Sequence, residues 1–407
     1  MWIEPGLLDL TYCTNIHPGE TWKEARANVE QFGRELKTSL SPEQPFGIGL
    51  RLSALAAEEL LQGGELDEFK SFLDSNGLYV ALLNGFPFGS FHCVAIKSAV
   101  FSPDWSDDAR LQYTLNLVRI LARLLPAGMD GGISTSPLSY KPWLTPDGIG
   151  PEGLARIVTN LVSAADAMAR VRQETGCVIH LDIEPEPDGL VENTSELIRF
   201  FEEQLLPVGA PLLAESMRVS LHQARQLLLE HIRVCFDTCH MAVEYEDAAE
   251  AFVQLADRSI KIGRIQVSSA LCAEFDRTGA TREQVLSQLE PFAESVYLHQ
   301  VIERSANGAL HHYPDLGEAL ESARHSEASE WRIHYHVPIF TADYGLLSSN
   351  QETNRSILAA VLRDGITSHL EIETYTWDVL PAALKAELIP SIEREYQWVL
   401  AELSAAR

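Results

Sequence analysis

Short apolar runs of β-forming residues alternate with longer stretches of helical period along the whole chain. Nine such runs can be marked as strands: 7–12, 47–52, 78–83, 131–135, 178–183, 233–236, 262–267, 331–337 and 369–373. Strands that alternate with helical segments predict βα units and a parallel sheet. Nine runs suit an α/β fold of the (β/α)8 TIM-barrel type with one segment left over. A doubly wound open sheet is the alternative, but the glycine-rich phosphate loop that usually follows its first strand is missing.

Two regions are longer than a simple βα connection. Residues 126–153 are dense in Gly, Pro and Ser, which predicts a long ordered loop over the barrel mouth. Residues 268–330 predict a lid or side insertion with a short strand at 297–301. We therefore expect a single barrel domain over residues 1–407, with an insertion at about 268–330. The run at 331–337 fits either a barrel strand or a strand on the rim.

The composition restricts the classes of partner. The chain has 407 residues, 46% of them hydrophobic, and a net charge of 31 − 58 = −27. Such an acidic surface repels phosphate backbones and anionic membranes, so we expect no nucleic-acid partner. No apolar run approaches the roughly eighteen residues that a membrane span needs, and residues 1–10 lack a signal-peptide pattern. We therefore expect a cytoplasmic protein with a small-molecule substrate and no membrane insertion, either monomeric or oligomeric.

The cysteines are few and scattered. Six occur, at positions 13, 93, 177, 235, 239 and 272, and no C-x-x-C pair is present. This spacing does not suit a disulfide framework or a structural zinc site. We expect buried thiols.

The run V-C-F-D-T-C-H at 234–240 joins an apolar strand to two groups with useful chemistry. Asp237 ends the strand, and His240 follows three residues later. In a closed barrel the chemistry lies at the carboxyl ends of the strands, which favours a site. The alternative is a helix start, with Asp237 as the cap and His240 in the first turn.

A second strand, at 178–183, also ends in acids. Strand alternation puts His180, Asp182 and Glu184 on one face. A buried carboxylate has to be paired, protonated or bound to a cation. Glu184, just before Pro185, is the predicted ligand, and Glu186 is predicted to lie on the rim. An acidic surface turn is the alternative.

Three further strands carry polar side chains near their ends. Gln266 ends the run at 262–267, His334 and His336 share a face, and Glu371 and Glu373 share another, with Glu373 nearer the mouth. Imidazoles at positions i and i+2 of a strand can bind one metal ion or one substrate. The alternative is that both histidines have only a structural role, with their hydrogen bonds satisfied within the protein. Two glutamates, an aspartate and histidines at separate strand ends predict a polar site at one mouth of the barrel.

The order of these motifs resembles the xylose isomerase-like TIM-barrel superfamily over roughly the whole chain. Within it, the sequence resembles the EboE family of predicted metabolite-traffic proteins. Five stretches carry this resemblance: L-T-Y-C-T-N-I-H-P-G-E-T-W at 10–22, L-N-G-F-P-F-G at 83–89, F-D-T-C-H-M at 236–241, H-Y-H-V-P at 334–338 and L-E-I-E-T-Y-T-W at 370–377.

The resemblance implies metal ligands. Glu184, Asp237 and Glu373 match positions that bind one divalent ion, and the fourth position, usually histidine, is Gln266 here. Losing an imidazole favours Mn²⁺ or Mg²⁺, with Zn²⁺, Co²⁺ and Fe²⁺ as alternatives. A second metal cluster, typical of the endonuclease-like branch, is matched by three histidines: His240, His334 and His336.

The resemblance also implies an activity. We expect a metal-dependent sugar isomerase or epimerase in which Glu184 and Glu373 remove and return a proton. The residues expected to contact the substrate are Arg51, Asn84, Phe88, Lys141, Trp143, Tyr375 and Trp377. A metal-dependent phosphoesterase and a non-catalytic metabolite-binding protein are the alternatives. A role for Asn15 and His17 stays open.

Overall fold

The computed structural model describes residues 1–4, 8–92, 95–144, 149–276, 279–323 and 326–407. Its strands are β1 (Trp2–Glu4), β2 (Leu8–Tyr12), β3 (Phe46–Arg51), β4 (Leu78–Asn84), β5 (Asp130–Thr135), β6 (Val178–Ile183), β7 (Ile232–Asp237), β8 (Ile262–Val267), β9 (Leu271–Glu274), β10 (Val301–Ser305), β11 (Leu310–Tyr313), β12 (Ala328–Ile333), β13 (Asp343–Tyr344), β14 (Leu347–Ser349) and β15 (His369–Ile372).

The α-helices are α1 (Trp22–Asn28), α2 (Arg34–Leu40), α3 (Ala54–Leu60), α4 (Glu65–Ser75), α5 (Asp108–Leu124), α6 (Gly150–Thr175), α7 (Thr194–Phe200), α8 (Ala210–Met217), α9 (Leu221–His231), α10 (Thr238–Val243), α11 (Ala248–Asp257), α12 (Arg282–Leu289), α13 (Leu316–Ser322), α14 (Gln351–Asp364) and α15 (Leu388–Ala405). Two π-helical segments, Val29–Gly33 and Phe201–Gly209, join α1 to α2 and α7 to α8. Pro207 lies inside the second, where its missing N–H interrupts the α-helical bonding pattern.

Eight parallel strands close into a barrel. The sheet runs β1-β2-β15-β8-β7-β6-β5-β4-β3, and β1 pairs antiparallel with β2. A parallel bridge between Cys13 and Gly49 brings the first and last parallel strands together. Helices follow the strands in sequence, as in a (β/α)8 barrel. The predicted fold is therefore confirmed, and eight of the nine predicted strands form the barrel wall.

The barrel interior contains a charged layer instead of the usual aliphatic one. Arg264 on β8 is fully buried and donates to Asp182 Oδ2 at 3.1 Å and to Glu371 Oε2 at 2.9 Å. Glycines on neighbouring strands make room for these acids: a Cβ on Gly49 would overlap the Glu371 carboxylate, and one on Gly263 would overlap that of Asp182. The opposite charges offset part of the cost of burial, although Arg264 Nη2 and Glu371 Oε1 have no hydrogen-bond partner.

The region between β8 and α14 builds a second sheet. Its six strands run β11-β10-β12-β9-β14-β13, and every pairing is antiparallel. The sheet extends to Ser349, beyond the predicted insertion limit at about residue 330. The run at 331–337 contributes to β12 here, so it is not a barrel strand. The short strand expected at 297–301 is wrong, because the strand is Val301–Ser305.

Several smaller expectations can be compared with the structure. Of the stretch at 126–153, residues 136–144 and 149 are irregular or in a short 3-10 turn, and residues 145–148 lie outside the described part. Cys13, Cys235, Cys239 and Cys272 are buried free thiols, Cys177 is a half-buried one, and Cys93 lies outside the described residues. Among the described helices, none is both long and apolar enough to cross a membrane.

Candidate metal centre

Asp237 ends β7 and also caps α10. Its Oδ1 accepts from the backbone N–H of Cys239 at 2.7 Å and of His240 at 2.9 Å, and from Ser268 Oγ at 2.7 Å. Its Oδ2 is buried and has no hydrogen-bond partner. The two readings of this stretch are therefore compatible, because one oxygen caps the helix and the other is available to a ligand.

Glu184 and Glu373 follow the ends of β6 and β15. Both are almost completely buried, and Glu184 Oε2 has no partner. Glu373 Oε1 accepts from Asn15 Nδ2 at 2.9 Å and from Asn84 Nδ2 at 3.0 Å. Burial and the charge of Asp237 raise the pKa of Glu184, and burial and the charge of Glu184 raise the pKa of Glu373. Gathered charges of one sign favour a bound proton or cation here.

Three histidines meet beside these acids, and each is oriented through Nδ1. His240 Nδ1 lies 3.1 Å from Pro185 O, His334 Nδ1 lies 2.7 Å from Gln300 Oε1, and His336 Nδ1 lies 2.6 Å from Glu373 O. Gln300 Nε2 donates to Pro187 O, which fixes its oxygen towards His334. These oxygens can only accept hydrogen bonds, so each Nδ1 atom carries the ring hydrogen. In the neutral ring each Nε2 atom then bears a lone pair that can bind a metal ion or accept a hydrogen bond.

Two of the Nε2 atoms face each other. The Nε2 atoms of His240 and His334 are 3.1 Å apart, the Tyr375 hydroxyl lies 3.4 Å from His334 Nε2, and His336 Nε2 has no partner. Burial lowers the pKa of all three rings, and neighbouring imidazoles add to this for His240 and His334. Two facing lone pairs at this distance repel unless a cation lies between or beside them. An Nδ1–H held by an oxygen, with Nε2 free, is the usual state of a metal-binding histidine.

Gln266 and Glu186 add further oxygen donors. Gln266 is fully buried on β8, where its Oε1 accepts from Cys235 Sγ at 2.9 Å and its Nε2 has no partner. Glu186, expected on the rim, is 4% exposed, and its Oε1 lies 3.5 Å from His334 Nδ1. Burial raises the pKa of Glu186. Its Oε2 also lacks a partner, so it adds to the negative charge of the site.

These donors fit a divalent cation. In the described part of the chain, the groups Glu186–His240–His334 and Asp237–His240–His336 each place their ligand atoms within 4.8 Å of one another. Unpartnered buried oxygens on Glu184 and Asp237 adjoin them. The structure thus brings together the predicted residues Glu184, Asp237, Gln266, Glu373, His240, His334 and His336 at one end of the barrel.

A pocket opens onto this centre. Its described lining combines carboxylates, amides and histidines with an apolar wall: Asn15, Asn84, Phe86, Pro87, Phe91, Ile96, Lys97, Val100, Glu184, Glu186, His240, Tyr297, Leu298, His334, Glu373 and Tyr375. Two of the predicted substrate-contacting residues, Asn84 and Tyr375, are in this lining, and so is Asn15. His17 is not, because its ring stacks on Phe32 with centroids 4.0 Å apart.

Five of the predicted substrate-contacting residues do not line the pocket: Arg51, Phe88, Lys141, Trp143 and Trp377. Arg51 is held by Glu20 Oε2 at 3.0 Å and by Gly19 O at 2.7 Å. Lys141 donates to Glu192 and Glu196. Trp143 is 45% exposed on the surface. Both cations are thus committed to acids that are distant in sequence, which the motifs could not reveal.

The pocket also contains residues that the sequence did not indicate. Phe86, Phe91, Ile96 and Val100 come from the loop after β4, and Tyr297 and Leu298 come from the added region. Phe86 lies in the stretch 83–89 that carries the family resemblance, whereas the other five residues carry no chemical motif. Glu186 did carry a signal, because it lies two residues beyond Glu184.

Comparison with known proteins finds matches among solved structures. No family model matches the chain, and no curated protein sequence matches it significantly. The IolI protein with a bound zinc atom aligns with a TM-score of 0.46 and 12% identity, over 98% of this chain and 99% of that one. A xylose isomerase-like TIM-barrel protein from Mycobacterium smegmatis, in complex with magnesium, gives 0.48 and 11% over 98% and 97%. A D-allulose 3-epimerase from Methylomonas sp. gives 0.38 and 13% over 71% and 82%. At these values the matches carry no argument about the activity of this chain.

Proposed function

We propose that the chain is a divalent-metal-dependent isomerase or epimerase acting on a small carbohydrate-like metabolite. One observation carries the proposal: Glu184 and Glu373 are buried carboxylates that line one pocket, beside Asp237 and a cluster of three histidines in which the Nε2 atoms of His240 and His334 face each other. Its sequence resemblance to xylose isomerase-like barrels supports this activity, whereas the narrower resemblance to the EboE family supports the alternative of a non-catalytic metabolite-traffic protein.

The two glutamates would move the proton. A bound divalent ion would polarise a substrate carbonyl and so acidify the neighbouring C–H bond. Glu184, as the carboxylate, would take that proton, and Glu373, as the acid, would return one to the same or the adjacent carbon. Return to the same carbon breaks one C–H bond and forms another, whereas return to the adjacent carbon also moves the hydroxyl proton from one substrate oxygen to the other. Neither reaction needs an oxidant. The Asn15 and Asn84 amides would hold Glu373 Oε1 in place during this exchange.

The ligand set separates two kinds of ion. Glu184, Asp237, Glu373 and the Gln266 amide form an oxygen-rich set that suits Mn²⁺ or Mg²⁺. His240, His334 and His336 suit a softer ion such as Zn²⁺. Occupation of both sets would favour a second candidate, a phosphoesterase acting on a small phosphoester, since paired metals hold both reacting oxygens.

The proposal is tested by metal content and proton exchange. The protein is purified without chelator, its metals are quantified, and aldoses, ketoses and cyclic polyols that carry one ketone are incubated with it in deuterated water. We expect one bound metal per chain and deuterium incorporation into at least one compound. Glu373→Gln should reduce the exchange by about two orders of magnitude or more.

The matched control is Glu215→Gln, the same change at an exposed position of α8. It should leave both metal content and exchange unchanged. Full exchange by Glu373→Gln would refute the proposed roles of the glutamates. Bound metal and bound ligand without any exchange would instead support a metabolite-binding protein of the metabolite-traffic type.

A further inference from the structure

The roof of the pocket is apolar and comes from outside the barrel wall. Phe86, Phe91, Ile96 and Val100 follow β4, and Leu298 precedes β10. Phe91 packs against Tyr297 and Tyr375, with ring centroids 5.2 and 5.3 Å apart. The floor is the opposite in character, since it contains Glu184, Glu186 and Glu373. The pocket is therefore divided into a polar end and an apolar end.

The roof is held in place without a ligand. The backbone N–H of Ile96 donates to Val296 O at 2.9 Å. Lys97 Nζ donates to Glu294 O at 3.0 Å and to Asp315 Oδ2 at 2.6 Å. These bonds join the loop after β4 to the added region. A preformed apolar surface favours ligands that can cover it, because little ordering cost is left at binding.

The charges of the pocket disfavour anionic ligands. Among its described lining residues, Lys97 is the only lysine or arginine, and its ammonium group is paired with Asp315. Arg51 and Lys141 are paired elsewhere. Three glutamates remain on the floor. A phosphate at the apolar end would lose its hydration and find no unpaired cation.

We infer that the substrate carries its oxygen functions at one end and an aryl or alkyl group at the other, and that it has no phosphate or carboxylate. The polar end would face Glu184 and Glu373, and the apolar group would lie under Phe91, Ile96 and Leu298. This inference rests on the proposed function, which it narrows from carbohydrate-like compounds in general to neutral, amphiphilic ones.

Three small probes test it with the metal-loaded protein: phenylethylene glycol, glycerol and glycerol phosphate. Calorimetry or ligand-observed NMR gives the affinity of each. We expect phenylethylene glycol to bind roughly tenfold or more tightly than glycerol, because the ring removes apolar surface from water. Glycerol phosphate should bind no more tightly than glycerol. Equal affinity of the first two, or preference for the phosphate, would overturn the inference.

Variants locate the effect in the roof. Leu298→Asn should reduce the affinity for phenylethylene glycol towards that for glycerol, without changing metal content. Leu221→Asn is the matched control on α9, where the leucine is 52% exposed, and it should change neither. Asp315→Asn keeps a good helix cap but leaves Lys97 unneutralised, so binding of glycerol phosphate should increase. An unchanged probe order in Leu298→Asn with a native thermal melt would contradict the proposed orientation.

The two proposals fail in different ways. Absence of proton exchange together with the expected probe order would refute the isomerase activity but retain the substrate class. Proton exchange on an anionic sugar, together with tighter binding of glycerol phosphate than of phenylethylene glycol, would retain the isomerase activity but refute the substrate class.

Discussion

Asp237 has two roles because its two carboxylate oxygens have different surroundings. Oδ1 accepts two backbone N–H bonds and one hydroxyl bond, which fixes the start of α10 and the side-chain conformation. Oδ2 is left buried without a partner. A carboxylate held this firmly loses little conformational entropy on binding an ion, so the helix cap preorganises the proposed ligand.

At the other end of the barrel, His369 predicts a specific pH dependence. Burial disfavours its charged form, but the hydrogen bond to Asp130 at 3.1 Å and the negative charges of Asp130 and Asp9 outweigh this and raise the pKa of His369 to about 9. The raised folded-state pKa stabilises the fold fully below the unfolded value of about 6.5, and this contribution is lost as the pH rises through 9. We expect the free energy of unfolding to fall by up to about 3 kcal/mol between these values.

Urea denaturation at pH 6, 7.5 and 9 measures this slope. His369→Gln should have a lower free energy of unfolding at pH 6, and that free energy should fall much less between pH 6 and pH 9 than it does in the natural protein. The control His222→Gln, on the exposed surface of α9, should show the same fall as the natural protein. The same slope in His369→Gln as in the natural protein would rule out this histidine as its origin.

At the scale of elements, the sequence was sufficient for the barrel but not for the added sheet. Strands buried on both faces appear in the sequence as continuous apolar runs, and the helical stretches between these runs separate one strand from the next, which gives the number of barrel strands. The strands β9 to β14 are 2–6 residues long, and β11 is largely exposed, so only β12 overlaps one of the marked apolar runs, at 331–337. The strand-end rule likewise located Glu184, Asp237 and Glu373. It could not locate the pocket roof, because Phe91 and Leu298 are far apart in sequence and line one pocket only as a result of tertiary packing.

The glycines inside the barrel predict a large stability effect. A Cβ on Gly49 of β3 would overlap the Glu371 carboxylate, which is held in the charged layer by Arg264. Gly49→Ala should therefore displace Glu371 and destabilise the protein by about 1–3 kcal/mol or more. Gly317→Ala is the matched control, since its added methyl meets no atom within 4 Å on the exposed face of α13. Alanine favours the helix there and should be neutral or stabilising. Similar urea midpoints for the two variants would contradict this account.

For the molecule as a whole, the acidic balance and the metal centre act together. The net charge of −27 attracts cations of every kind, and any salt that screens it stabilises the folded chain. The buried oxygens of Glu184 and Asp237 differ from these surface charges, because screening by mobile ions does not reach them. A specific ion should therefore stabilise the fold beyond the general effect of salt.

Thermal melts at constant ionic strength separate the two contributions. Adding Mn²⁺ at about a hundred times its dissociation constant should stabilise the protein by about 2.7 kcal/mol, because an ion that binds only the folded state shifts unfolding by mass action. Sodium chloride at equal ionic strength should have little further effect, and a chelator should reverse the shift. Asp237→Asn keeps an oxygen to cap α10 but removes the negative ligand, so its melting temperature should no longer respond to Mn²⁺. A response equal to that of the natural protein would mean that the ion stabilises the acidic surface and not the barrel mouth.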